Sequence, residues 1–302
     1  MIPYIHIPDI KIGPIPLHPF GILVATAVIV GNAISRKRAM RLGYDIPSLD
    51  SFITWVLVFG FAGGHIFDTI FYHPEEIIRR PWSLLMLWEG LSSFGGFLGA
   101  LIGAVMWKYF VLKDVLDLRL FKLAWFKRRP QPEPLLPFCD LLVAVFPVAW
   151  IFGRLGCTVV HDHPGAATSA NSFLAVAYPL YEGEGTKSVY GPIELIQGSS
   201  PRYDLGLIEL LFTIVFSALL VLTWKRRWPV GTYIVIVSLV YAPARFMMDF
   251  LRITDGPTAD LRYAGLTFAQ WSCVALFGLG IGVWIKIARN AKQTAIATKS
   301  PA

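Results

Sequence analysis

Arg245, Asp249 and Arg252 stand at i, i+4 and i+7, a spacing that puts three charged side chains on one face of a helix. Two guanidiniums flanking a carboxylate make a cradle for an anion. The planar fork of arginine grips phosphate oxygens in pairs and stays charged when taken out of water. The carboxylate would hold the arginines in place or take a polar headgroup. Pro243, two residues earlier, is expected to kink that helix and free carbonyls nearby. A second set surrounds Arg154: Cys157, then His161, Asp162 and His163 in the run HDHP. Histidine is the usual base near neutral pH, and an adjacent carboxylate would orient it. His161 with Asp162 is therefore a candidate for proton transfer, set against an ordinary solvated loop. The spacing of His161, Asp162 and His163 matches no strong zinc motif, so neither a metal nor another cofactor is expected. Cys157 reads as a nucleophile near cationic groups or, more simply, as a small helix-end residue.

These residues belong to a chain in which 55% of the 302 residues are hydrophobic and only 16% charged. That excludes an ordinary soluble domain. Apolar runs at 18–35, 51–71, 84–107, 136–153, 205–224, 229–250 and 265–287 each approach the ~20 residues a helix needs to cross a bilayer. The first sixteen residues carry no basic n-region and do not read as a cleaved signal peptide. They alternate apolar and polar residues with several prolines, as a short extended or surface-lying segment would. Basic residues cluster after the first span (Arg36, Lys37, Arg38, Arg41), after the third (Lys108 to Arg129), after the fifth (Lys225, Arg226, Arg227) and in the tail. These segments hold two thirds of the 27 basic residues and alternate with basic-poor loops. The expectation is an all-α polytopic membrane protein with seven transmembrane helices, N-terminus outside and C-terminus inside. The net charge of +7 is then a signal of topology rather than of nucleic-acid binding.

Helix rise converts this topology into depth. His18, His65, Asp68, Glu89, Arg154, Glu209, Arg245, Asp249 and Arg252 all fall toward the outer face, whereas Asp140 lies near the inner one. Ions are costly in hydrocarbon, and a one-sided cluster rich in arginine suits an anionic ligand; the competing reading is a set of packing salt bridges or snorkelling ends. The three cysteines form no disulfide framework, and Cys139 and Cys273 read as small core residues. No internal repeat suggests an inverted-repeat transporter. The run KRRPQPEPLLP at 127–137 reads as a stiff inner linker. The segment 155–204 is long enough for a small outer head, with GEGTKS and QGSSPR as turns. Glycines in GFAGGH at 60–65 and EGLSSFGGFLGALIGA at 89–104, Gly95 and Gly96 among them, permit close helix approach or leave room for a lipid tail.

In order along the chain, PIPLHPFGI at 14–22, FAGGHIFDTIFYHPEEI, LWEGLSSFGGFLGALIG, GRLGC at 153–157, YDLGLIELLF at 203–212, RFMMDFLR at 245–252 and GLTFAQW at 265–271 resemble the prolipoprotein diacylglyceryl transferases of bacterial inner membranes. The resemblance covers most of the chain as a single domain, 1–302, with a periplasmic head at about 155–204. It implies transfer of the diacylglyceryl group of phosphatidylglycerol to the thiol of a lipobox cysteine in a preprolipoprotein, with release of glycerol phosphate. It implies that Arg154 and Arg245 match essential arginines, that Asp249 takes the place of a glutamate, and that Glu209 matches another acidic position. Arg252, Glu89, His65, Gly95 and Gly96 complete the expected substrate-binding set. The chain departs from the pattern at Phe20 for a tyrosine, His65 for an arginine, Phe94 for a histidine, Cys157 for an asparagine and Asp162 for a glutamate. Phenylalanine moves no proton, so thiol activation passes to His161 or His163 with Asp162, to His65, or to the electrostatic effect of the arginines alone. Rival readings are a divergent paralogue with another acceptor or no catalysis, and a transporter. The thinning of polar groups beyond Asp140 counts against the latter.

Overall fold

The structure, a computed structural model, describes every residue except 6, 9, 13–14, 72, 87–89, 119–120, 181–195, 254–261 and 298–302. In chain order it contains β1 (Ile10–Ile12), β2 (Ile15–Leu17), α1 (Pro19–Leu42), α2 (Ile46–Phe71), α3 (Pro74–Arg79), α4 (Ser93–Tyr109), β3 (Phe110–Leu118), β4 (Phe121–Arg128) and α5 (Leu135–Val160). There follow β5 (Pro164–Ala167), β6 (Ala175–Leu180), β7 (Ile196–Asp204), α6 (Leu205–Leu222), α7 (Thr232–Met248), β8 (Arg262–Tyr263), β9 (Leu266–Thr267) and α8 (Phe268–Ala297). Among the described residues helices dominate, and six of them are long and apolar enough to cross a membrane.

The expected third span differs most. A 3-10 turn occupies Pro81–Leu85, and helix begins only at Ser93, where the Ser92 hydroxyl caps it by accepting from the Gly95 amide at 3.4 Å. Apolarity alone therefore overestimated the helical part of 84–107. The expected inner loop 108–134 holds the antiparallel hairpin β3–β4, and the small sheets qualify the all-α expectation. Proline does not break α5 or α7: Pro147 and Pro243 both lie inside continuous helix, as happens when neighbouring groups satisfy the freed carbonyls. The run QGSSPR, expected as a turn, is part of β7, the central strand of a sheet ordered β5-β7-β6. Pairing with β6 along Ser199–Arg202 overrides its turn-forming composition. The GEGTKS stretch lies outside the described residues. The N-terminal segment is extended, as expected, and Ile2 pairs with Ala175 and Ala177 at the edge of this sheet, with N–O distances of 2.7 and 3.0 Å.

The chain divides into two compact units, Met1–Ile34 with Leu142–Ala302, and Ser35–Leu141. In the second, α2 and α4 approach through glycine. A methyl group on Gly99 would stand 2.1 Å from the Phe59 carbonyl oxygen and 3.0 Å from the Gly63 Cα. Backbones that touch in this way maximise dispersion and are how helices pack where lipid removes the hydrophobic drive. Phe52, Trp107 and Phe138 interlock beside this seam with centroids 4.9–5.8 Å apart. Tyr44, in the turn between α1 and α2, has its phenol pushed above the ordinary value by burial and by Asp140, against the opposing effect of Arg38.

Gly99→Ala should lower the thermal midpoint in detergent, with overpacking costing about 1–3 kcal/mol. Gly60→Ala should be tolerated, because its methyl would meet the Gly96 carbonyl at an ordinary 3.5 Å. Equal midpoints for the two variants would refute the backbone-contact account of the α2–α4 seam.

Candidate functional site

Within the first unit, the chain of charge begins on α5. Helix continues through Arg154 to Val160, so Arg154 lies inside the helix rather than ending it at 153. Its buried side chain brings Nε to 3.0 Å from Oε1 of Glu209, and its guanidinium lies 4.6 Å from the centre of the Trp150 ring one turn earlier. Glu209, on the first turns of α6, is shared: its Oε2 is 3.3 Å from Nε of Arg245 on α7. Tyr241, one turn before Arg245, donates its hydroxyl to Glu209. Trp150 Nε1 donates to the same carboxylate at 3.4 Å and to Tyr241 at 3.2 Å.

From Arg245 the chain passes to Asp249, whose Oδ1 accepts from Arg245 at 2.8 Å and from Arg252 Nε at 2.7 Å. The three residues expected on one helix face do converge, although α7 ends at Met248 and Asp249–Leu251 continue as a 3-10 turn. Thr267 donates its hydroxyl to Oδ2 of Asp249. The same threonine caps α8 reciprocally with Gln270, through Thr267 N to Gln270 Oε1 at 3.0 Å and Gln270 N to Thr267 Oγ1 at 3.1 Å. This is a capping box, and it fixes the threonine that fixes the aspartate. The sequence Arg154–Glu209–Arg245–Asp249–Arg252 thus alternates in sign and leaves one positive charge in excess. Side-chain exposure rises along the three arginines, 7%, 13% and 20%, so access to the series improves toward Arg252. A buried row of guanidiniums pre-aligned by carboxylates is suited to a singly charged phosphodiester.

The histidines of HDHP divide. His161 adopts a left-handed conformation, φ 51°, where α5 ends. Its Nδ1 lies 2.6 Å from Asp204 Oδ2 and its ring stacks on Tyr4 with centroids 4.2 Å apart. Tyr178 donates to the same carboxylate oxygen at 3.0 Å; burial and Asp204 push its phenol upward, which keeps it a donor. The other oxygen of Asp204 accepts from Leu207 N at 3.0 Å and caps α6. Asp162 was expected to serve either His161 or His163. It contacts His163, and a helix end that reverses direction accounts for the choice. Cys157, in the last turns of α5, lies 3.7 Å from a terminal nitrogen of Arg154. The head is tied to the charged row by an antiparallel bridge between Gly165 and Arg252.

The remaining expected residues fall elsewhere. His65, Gly95 and Gly96 belong to the other unit, and Glu89 lies outside the described residues. His65 is buried, with Nε2 2.8 Å from the Ser83 carbonyl. The space beside Gly95 is filled by Phe67 and the Gly63 backbone, so this glycine serves helix approach. Phe94 packs on Phe67 at 5.0 Å. Sequence reading missed Trp150, Tyr241, Asp204, Tyr178 and Thr267. The spacings Trp150-x3-Arg154 and Tyr241-x3-Arg245 and the T-x-x-Q start of α8 were available signals.

Glu209→Gln should leave Arg154 and Arg245 facing each other without their shared anion and cost about 3–5 kcal/mol. Tyr241→Phe removes one hydrogen bond and should cost about 1 kcal/mol. Thermal unfolding in detergent should rank them in that order; the reverse ranking would mean that Glu209 is not the centre of the row.

Comparison with known proteins supplies a family. A model described as prolipoprotein diacylglyceryl transferase matches residues 9–286. The chain is 26% identical over 281 residues to a phosphatidylglycerol–prolipoprotein diacylglyceryl transferase of Nitratidesulfovibrio vulgaris, covering 91% of each chain. It is 26% identical over 284 residues to one of Neisseria meningitidis, covering 90% of this chain and 92% of that one. With one of Cereibacter sphaeroides the identity is 27% over 320 residues, covering 95% and 99%.

Proposed function

The chain belongs to the prolipoprotein diacylglyceryl transferase family, and on that premise we propose that it moves the diacylglyceryl group of phosphatidylglycerol onto the thiol of a lipobox cysteine in a preprolipoprotein, at the outer leaflet of the bacterial inner membrane. The observation that carries this reading is the alternating row Arg154–Glu209–Arg245–Asp249–Arg252. As thiolate sulfur bonds to the glyceryl carbon, the carbon–oxygen bond to phosphate breaks and its electron pair leaves on the phosphate oxygen. A phosphodiester with one negative charge becomes a phosphomonoester bearing more. Guanidiniums already held in place bind that growing charge more strongly in the transition state than in the ground state. Glu209 and Asp249 hold the arginines in place against their mutual repulsion.

The lipid and the signal peptide reach the site laterally, from within the membrane. Seven spans follow if α4 crosses as well as the six longer helices. Its 17 residues reach about 25 Å, just under the ~30 Å hydrocarbon core, and the alternation of basic loops then puts the N-terminus and the head outside. A cysteine introduced at Asn171 in the head should react with an impermeant thiol reagent in intact cells. Labelling there only after the membrane is opened would reverse the orientation.

With labelled phosphatidylglycerol and a lipobox peptide, Arg154→Ala and Arg245→Ala should each reduce turnover by about 100-fold or more. The lysine variants should recover little, because an ammonium cannot make the bidentate contact. Full turnover in both alanine variants would leave the arginines as structural charges. Lipid binding without peptide modification by the parent protein would instead identify a phospholipid-binding paralogue with another acceptor.

A further inference from the structure

His161 is committed to Asp204 and Tyr4, which leaves a different trio at the end of α5. The sulfur of Cys157, a carboxylate oxygen of Asp162 and a ring nitrogen of His163 all lie within 4.8 Å of one another. We propose that Cys157, Asp162 and His163 bind one divalent transition-metal ion of the zinc class, whose fourth position takes the thiol that is to be alkylated. This deepens, and rests on, the transferase reading above.

The donor types select the ion. One thiolate, one imidazole and one carboxylate is a three-ligand set that leaves a tetrahedral ion open to water or substrate. The soft sulfur excludes magnesium and calcium. Around a tetrahedral ion with bonds of about 2.0–2.3 Å, neighbouring donors stand roughly 3.3–3.7 Å apart, so side-chain rotation of about an ångström closes the site. Asp162 and His163 already meet, and a metal would replace the proton between them. The sulfur is buried, whereas Asp162 and His163 are 19% and 25% exposed, so the ion would have a buried base and an open side. Charge balances too. Thiolate and carboxylate together neutralise the dication, which makes the guanidinium of Arg154, 3.7 Å from the sulfur, a tolerable neighbour and an N–H donor to it. No linear motif announces the set because its members straddle a helix end: Cys157 comes from the last turns of α5, and the left-handed residue His161 redirects the two that follow.

The site answers the chemical gap left by Phe94. A thiol near its ordinary pKa of about 8.5 is only slightly ionised at neutral pH, but a thiol that coordinates zinc is deprotonated outright. The acceptor cysteine would release its proton to water on binding. Its sulfur would then form the S–C bond while the C–O bond to phosphate breaks, with the leaving electron pair taken onto an oxygen facing the arginines. Contact between Cys157 and Arg154 puts nucleophile and leaving group in one neighbourhood.

The full chain, purified in detergent and loaded with cobalt(II) as a spectroscopic substitute, provides the test. One cobalt per chain should bind and give a sulfur-to-cobalt charge-transfer band. That band should be lost in Cys157→Ser and in Cys157→Ala and kept in Cys273→Ser. His163→Ala should weaken cobalt binding at least tenfold, and cobalt should raise the melting temperature of the parent but not of the Cys157 variants. A lipobox peptide should intensify the band, and its cysteine-to-serine version should not. A band that persists without Cys157, or unchanged affinity in His163→Ala, overturns the proposal; if the Cys157 variants do not fold, the part-exposed His163 decides. Undiminished transfer by chelator-stripped protein would refute the metal while leaving the transferase intact. Cobalt bound as described, with no product from phosphatidylglycerol and peptide, would refute the transferase while leaving the metal site.

Discussion

Everything at the site depends on the burial of Glu209 between two arginines. Arg154 on α5 and Arg245 on α7 would repel each other in a medium of low polarity, and each would carry a large desolvation cost alone. One carboxylate from α6 offsets both, and Tyr241 and Trp150 supply the hydrogen bonds that complete its coordination. Three helices are thereby held in a fixed relation by a group that is itself nearly inaccessible. The second carboxylate, Asp249, repeats the device at a more open position and extends it to Arg252. Burial makes the row rigid, and the unmatched positive charge makes it receptive to an anion.

A second joint connects the head to the helices. Asp204 uses one oxygen to cap α6 and the other to hold His161 and Tyr178. The end of α5, the start of α6 and the sheet of the head are therefore registered through one side chain. His161 is thereby drawn to Asp204, which leaves Asp162 and His163 beside Cys157.

Much of the charged row was legible in the sequence, because ionisable residues in apolar runs have few reasons to exist and helix rise places them by depth. Arg154, Glu209, Arg245, Asp249 and Arg252 were all identified in this way, and the structure brings all five together. What escaped was whatever depends on the chain reversing direction. Adjacency in HDHP left Asp162 to serve His161 or His163, and could not show that the left-handed turn hands His161 to a residue some forty positions away. QGSSPR has the composition of a turn, yet pairing with β6 holds it extended. The start of α4 escaped for another reason: hydropathy is blind to where a helix is capped, and Ser92 decides that boundary.

The sharing of Glu209 also has a consequence for how the protein is made. An arginine or an acidic residue deep in a single helix raises the cost of its insertion by about 2.5–3.5 kcal/mol at the bilayer centre and less toward the surface. Arg154 of α5 and Glu209 of α6 meet across helices, whereas Arg245 of α7 meets both Glu209 and, one turn on, its own Asp249. Integration of α5 or α6 alone would leave its ion in lipid without the partner it has in the folded protein. The favourable route retains α5 beside the insertion machinery until α6 arrives, so that the two enter as one neutralised pair. The same contacts that organise the site would then set the order in which the membrane receives the chain.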